Sequence, residues 1–308
     1  MDADPDQDLG STWWEPPPNP ELFGHVVVGV DGSPASGRAL DAAVAEADRR
    51  DVRLEILHGQ PWGGHRKAAR QGVRPYHVAQ ALLASAAARA AELRPGLRVS
   101  TSLVDRHAGG VLVRRSRDAG LAVVGTRGHG AVTGALLGSV SLHVAAHSAC
   151  PLLVVRGESP ARPTGHGHVV LGLESDADTE AAAFALAEAD RRHVSLTVLH
   201  AWTSQPTAPR RQRTGECSEG VFTGHSEVIR TVARLGKAHP EVATDIETVH
   251  GTAPHVLLEA TRTADVVVVA AHRRAGGPGP RLGPVTRALL HGAHCPVAVV
   301  PVPTTAQP

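Results

Sequence analysis

The chain has 308 residues, 31 basic and 30 acidic, with a formal charge of +1. That length allows two domains of ordinary size, and the charge balance gives no electrostatic footing for nucleic acid or an anionic membrane. The three cysteines (Cys150, Cys217, Cys295) form no disulfide framework, no apolar run is long enough to span a bilayer, and the acidic start MDADPDQDLG is no secretion signal, so a cytoplasmic protein is expected.

In chain order, residues 1–24, with WWEPPPNP, read as a flexible tail. A β-branched strand, Val26–Val30, ends at Asp31-Gly32-Ser33, and an Ala-rich helix follows with apolar positions at Leu40, Ala43, Val44 and Ala47. A second strand is expected at Val52–Leu57, then a Pro/Gly/basic insert, a helix at His77–Leu93 and a third strand at Arg98–Val104. A helix over Gly110–Asp118, a strand at Ala122–Val124, a helix over Gly138–His147 and a strand at Leu152–Val155 complete the unit. Residues 157–167 read as a linker and 303–308 as a C-terminal tail.

Between linker and tail the unit is written again. HVVVGVDGS (His25–Ser33) recurs as HVVLGLESD (His168–Asp176), AEADRRDVRLEILH (Ala45–His58) as AEADRRHVSLTVLH (Ala187–His200), and CPLLVV (Cys150–Val155) as CPVAVV (Cys295–Val300). This is a tandem duplication of a unit of roughly 140 residues, within the usual domain range. Strands alternating with helices, the strands being near-continuous Val/Leu runs, predict a parallel sheet covered on both faces. The fold class is therefore α/β twice, as two tandem five-stranded, doubly wound, Rossmann-like domains at 25–156 and 168–302.

The stretch VVGTRGHGAVTGALLGSVS, Val123–Ser141, places Gly125 and Gly128 after the fourth strand and Gly138-Ser139-Val140-Ser141 at the start of a helix. Ligands of doubly wound sheets sit beyond the carboxyl ends of the strands. Glycines let bare backbone approach there, a helix start offers N–H groups to an anion, and Ser139 and Ser141 add hydroxyls. Asp31, after the first strand, suits a ribose diol. A Walker loop needs a Lys that Leu137-Gly138-Ser139 lacks, and the dinucleotide fingerprint should follow the first strand, where Asp-Gly-Ser-Pro stands instead.

The pattern Gly-x2-Gly-x9-Gly-Ser, in register with VVVGVDGS and CPLLVV, resembles the universal stress protein family, and the resemblance covers both repeats. It implies a five-stranded parallel α/β sheet and, in one subgroup, bound ATP, with Mg2+ as its accompanying ion. By that resemblance Gly29, Val30 and Asp31 adjoin ribose and adenine, and Gly59 lies near the base. Val124, Gly125, Arg127, Gly128, Gly138, Ser139, Val140 and Ser141 would enclose the phosphates and part of the ribose. It further implies pairing of the last strands, within one chain as a pseudo-dimer, with further homo-oligomerisation left open. The second copy departs from the pattern. Glu174 replaces Asp31, Ala270 replaces Gly125, Arg273 replaces Gly128 and Pro284 replaces Ser139, while Gly283 and Thr286 are kept; this site is expected to be degenerate, or remade for a different anion.

Other candidates are weaker. His143 and His147 lack a third ligand at metal-binding spacing, so no metal site is expected among the 19 histidines. Ser33, Ser139 and Ser141 have no nucleophile-elbow context. Cys150 and Cys295 read as structural thiols, with Cys217 the one exposed to oxidation. Glu46/Asp48 and Glu188/Asp190, each followed by Arg-Arg, read as solvated helix faces. Three functions remain open: an ATP-binding regulatory module acting on an unknown protein partner in a stress response, a slow ATP hydrolase or phosphotransferase of the same fold, and a scaffold without nucleotide. No carboxylate stands where it would orient water at a terminal phosphate, so robust turnover is not expected.

Overall fold

The structure, a computed structural model, describes residues 24–61, 75–126, 137–156, 167–174, 178–203, 229–271 and 282–302. The first repeat runs β1 (Val26–Gly29), α1 (Pro34–Arg50), β2 (Leu54–Gly59), α2 (Pro75–Leu93), β3 (Val99–Val104), α3 (Ala108–Arg115), β4 (Leu121–Gly125), α4 (Ser139–His147) and β5 (Leu152–Val155). The second runs β6 (His168–Gly172), α5 (Thr179–Arg192), β7 (Ser195–Trp202), helical residues 229–236 (α6), β8 (Thr244–His250), α7 (Ala253–Ala260), β9 (Val266–Ala271), α8 (Pro284–Gly292) and β10 (Val297–Pro301).

The strands among the described residues lie in one ten-stranded sheet of order β3-β2-β1-β4-β5-β10-β9-β6-β7-β8. Within each repeat neighbours are parallel, as Val26↔Leu54 and Val26↔Leu121 illustrate. The joint between repeats is antiparallel, with Val297 opposite Val154 and Val299 opposite Leu152. Val26, Val27 and Val28 are all fully buried because helices cover both faces. Leu54, Ile56, Val123 and Leu153 pack with α1 on one side, and Leu57, Val124, Leu152 and Val154 pack with α3 and α4 on the other. The joint leaves β3 and β8 as edges, and β8 carries exposed Asp245 and Glu247, which discourage further strand addition.

Several element boundaries differ from expectation by a residue or more, and at β2 and α3 the reason is local. α1 ends at Asp51 in the left-handed region (φ 51), and Val52 N–H returns to the Ala47 carbonyl, so Val52 belongs to the helix stop and β2 begins at Leu54. α3 covers Ala108–Arg115, and residues 116–118 form a turn in which the Ser116 hydroxyl donates to Val113 O and accepts from Ala149 N–H.

The larger correction concerns Glu46 and Glu188. Their side chains are 1% and 2% exposed, so they are no part of a solvated face. They meet across the joint: Arg50 Nη2 lies 2.6 Å from Glu188, Arg192 Nη2 lies 2.6 Å from Glu46, and Arg49 and Arg191 bond the glutamates of their own helices. Burial raises the Glu46 pKa and is outweighed by Arg192, Arg50 and Arg49, which bring it down to about 2. Four arginines to two glutamates is a reasonable balance, because α1 and α5 both end here and helix carboxyl termini are themselves negative. Asp48 and Asp190 do lie outward, bonding Arg94 and His239. A second buried network belongs to the first repeat alone: Glu55 bonds His25 at 3.1 Å, accepts from Ser102 Oγ at 2.6 Å and faces Arg115 at 3.3 Å.

Candidate functional site

In each repeat the chain reverses strand order at the first strand, so the carboxyl ends of β1 and β4 diverge into separate loops. After β1 the backbone turns through Asp31-Gly32-Ser33. Asp31 Oδ1 accepts from Ser33 N–H at 3.0 Å, Ser33 caps α1 by accepting from Ser36 N–H, and Pro34 supplies a first helical residue without an N–H. Asp31 N–H is held in turn by Ser36 Oγ at 3.2 Å. The Asp31 carboxyl is thereby fixed, half-buried, above the end of β1.

Gly125 closes β4 and Thr126 follows it, its carbonyl accepting from Gly138 N–H at 2.7 Å. That bond brings the start of α4 back over β4. Gly138 is the N-cap in extended geometry (φ −65, ψ 149) with no side-chain cap, so the first amides of α4 are left without intrahelical or capping acceptors. Ser139 and Val140 are exposed at this start. Asp31, Gly125, Gly138, Ser139 and Val140 thus gather at one end of the sheet, while Arg127 and Gly128 lie outside the described residues.

Several expected contributors have other tasks. Ser141 is buried, and its hydroxyl donates its single proton to the Gly125 carbonyl at 2.6 Å, tying the start of α4 to the end of β4. Val124 is 3% exposed and packs in the core, leaving only its backbone to face the strand ends. The glycines admit the protein itself. A Cβ on Gly125 would stand 2.6 Å from Ala35 O, one on Gly59 2.7 Å from Ala108 Cα, and one on Gly29 2.9 Å from Leu112 Cδ1. Gly59 and Gly125 therefore let the loops around the site pack closely.

A residue that the sequence reading missed is His58. Its Nδ1 bonds the Val30 carbonyl at 2.8 Å, so Nδ1 carries the proton and the ring clamps the turn that presents Asp31. The signal was available: His200, its counterpart in the repeated LH dipeptide, bonds Leu173 O in the same way at 3.1 Å.

The second repeat builds the same frame with other chemistry. Gly283 is again an extended N-cap, but Pro284 at the first helical position of α8 has no N–H. Thr286 is buried, and Ala270 lies within β9, which is buried along its whole length to Ala271. Glu174, exposed, has its amide held by the carboxylate of buried Asp178 at 2.8 Å, where the first repeat uses the neutral Ser36. Arg273 lies outside the described residues.

His143 and His147 stack with ring centroids 4.4 Å apart, and partial burial followed by the His147 charge lowers the His143 pKa. Among the described residues no group of three or more His, Cys, Asp or Glu is placed to hold a metal ion. Burial pushes the Cys150 and Cys295 thiols up to about 11 and about 12, leaving them protonated and unreactive at neutral pH. No described helix is long and apolar enough to cross a membrane.

Comparison with known proteins agrees with this architecture. A family model described as the universal stress protein family matches residues 22–156 and again 166–301. Universal stress protein Rv1996 of Mycobacterium tuberculosis is 33% identical over 313 residues, covering 90% of this chain and 95% of its own. Among solved structures, a universal stress protein from Archaeoglobus fulgidus superposes with a TM-score of 0.65 at 16% identity, over 90% of this chain and 98% of its own, a likeness of fold. A shorter universal stress protein, solved in complex with cAMP, is 30% identical over 44% of this chain and 97% of its own, with a TM-score of 0.35. With both repeats matched by the family model, the chain belongs to the universal stress protein family.

Proposed function

We propose that the first repeat is an ATP-binding regulatory module whose nucleotide state is read by a protein partner in a stress response. The observation that carries this reading is the uncapped start of α4, with Gly138 extended and Ser139 exposed, brought back over β4 beside the fixed Asp31 carboxyl. Free helix-start amides and a positive dipole end favour phosphate oxygens, and a carboxylate that only accepts favours the two hydroxyls of a ribose.

Within this reading Ser139 Oγ and the amides of Ser139 and Val140 hold phosphate, and Arg127 supplies a cation. His58 works indirectly, holding the Val30–Asp31 turn. Mg2+ would arrive with the phosphate chain, adding charge neutralisation there. Each of these roles is one of binding and orientation, in keeping with a switch.

The test is the nucleotide content of the purified protein after denaturation, followed by calorimetric titration of ATP into wild type and Gly128→Arg, which copies the second repeat. Stoichiometric ATP, or micromolar affinity abolished by the substitution, supports the reading. Absence of both nucleotide and saturable binding would reduce the strand ends to a scaffold.

A further inference from the structure

We infer that the outer edge of β3 is an association surface for a second copy of this chain, the two β3 strands pairing antiparallel about a two-fold axis at Thr101.

The two ends of the sheet differ in how they are guarded. β8 exposes Asp245 and Glu247, whereas β3 carries no charged residue from Val99 to Val104. Its register with β2 is unbroken, so it has no bulge, and it has no proline. Leu54 N–H bonds Arg98 O and Gln60 N–H bonds Val104 O, so alternation turns the backbone groups of residues 98, 100, 102 and 104 towards β2. Val99, Thr101 and Leu103 therefore present N–H and C=O on the side where no described strand pairs. An uncharged, regular row of this kind is a template for another strand.

The chain itself shows how two such edges close. β5 and β10 pair antiparallel, and α1 and α5 meet above them. β3 repeats that arrangement with its own copy. Setting Thr101 opposite the partner's Thr101 places Val99 opposite the partner's Leu103, and the three pairs exchange about six backbone hydrogen bonds. Val99 and Leu103 are partly buried against the core on the α1 side, so these pairs extend that core across the axis.

The covering layer is compatible. α2 packs on β3 and beside α1, and Arg89 turns to α1 to bond Asp41. Helical spacing puts Gln80, Ala84 and Ala91 on the opposite face, all exposed and uncharged. A second α2 can approach there without opposing charge, whereas the counterpart helix α6 exposes Arg230 and Arg234. Head-to-tail addition of β3 to β8 would meet Asp245 and Glu247 and would not close. Two-fold pairing closes at once and leaves only the guarded β8 edges open.

The test is sedimentation velocity of the full chain over a range of concentrations, with Cys217→Ser so that only one added thiol is accessible beside buried Cys150 and Cys295. A reversible dimer is expected. Thr101→Pro removes an N–H that faces away from β2 and should weaken association by about tenfold or more, the worth of the two central hydrogen bonds. Thr101→Lys, at an exposed position, should also weaken it while leaving the melting temperature of the monomer unchanged, which keeps the test should the proline variant misfold. Thr101→Cys should form a covalent dimer on oxidation, since paired Cα atoms about 5.5 Å apart lie within disulfide reach. A monomer at every concentration overturns the inference and leaves the edge to another occupant. A dimer untouched by Thr101→Lys, or an open series of sizes, overturns it as well.

Discussion

Arg50 of the first repeat reaches the buried carboxylate of Glu188 in the second at 2.6 Å, and the reciprocal bond from Arg192 to Glu46 has the same length. Each repeat contributes one carboxylate and two adjacent arginines to a joint whose floor is the β5–β10 pairing. Removing one carboxylate leaves arginines buried without their acceptor, so Glu188→Ala should cost about 3–5 kcal/mol. Asp190→Ala, two residues away and bonded to His239 at the surface, should cost under about 1 kcal/mol. Urea unfolding of the two variants checks this contrast; equal small losses would mean that the joint is held by strand pairing alone.

Acid should weaken the fold through these same carboxylates. Glu46 titrates near 2 when folded against an ordinary value of 4.5, and Glu55 is also lowered, its burial being outweighed by His25, Ser102 and Arg115. A carboxyl with a depressed folded pKa stabilises the fold fully above its unfolded pKa. That contribution is lost as pH falls from about 4.5 towards the folded value. Stability should therefore be flat with respect to these groups above pH ~5 and decline steadily below pH ~4. Glu55→Gln should flatten part of that decline when denaturant midpoints are compared across pH.

The duplication, the parallel α/β architecture and the glycine-bearing strand ends were legible because each depends on short-range pattern. Val/Leu runs mark strands buried on both faces, and Gly138-Ser139 marks a helix start wherever the sheet places it. The fate of Glu46 was not legible. Glu-Ala-Asp-Arg-Arg on a helix reads as solvated until the opposite helix, 142 positions on from Glu46 to Glu188, is brought alongside. The partner of Ser141 was not legible for a related reason: a hydroxyl beside a glycine loop does not show in sequence that Gly125 O stands 2.6 Å away. Gly59 shows the limit for glycine, since a bare backbone position does not reveal whether ligand or protein fills the space.

That last ambiguity gives a stability prediction. A Cβ at Gly59 would meet backbone atoms of Ala108 at 2.7 and 2.8 Å, and backbone cannot rotate away. Gly59→Ala should destabilise by about 1–3 kcal/mol, as overpacking does. Gly37 lies inside α1 with open space around its missing Cβ, and Gly37→Ala should stabilise by about 0.5–1 kcal/mol. Thermal melts of the pair separate close packing from glycine content as such.

The two serines at the start of α4 should divide stability from binding. Ser141 Oγ, buried, satisfies the Gly125 carbonyl, so Ser141→Ala should cost about 1 kcal/mol of stability while changing ATP affinity less than about twofold. Ser139 is exposed at the helix start, so Ser139→Ala should leave the melting temperature nearly unchanged and weaken ATP by roughly threefold to tenfold, the worth of one hydrogen bond to a charged group. Ser139→Pro, which installs the residue of the second repeat, removes an amide as well as the hydroxyl and should weaken ATP further while Pro at this first helical position is tolerated by the fold. Calorimetric titration alongside thermal melts reads both quantities on each variant. If Ser141→Ala abolished ATP binding at unchanged stability, its hydroxyl would have to leave Gly125 for the phosphate, and the helix start would be a site assembled by its ligand.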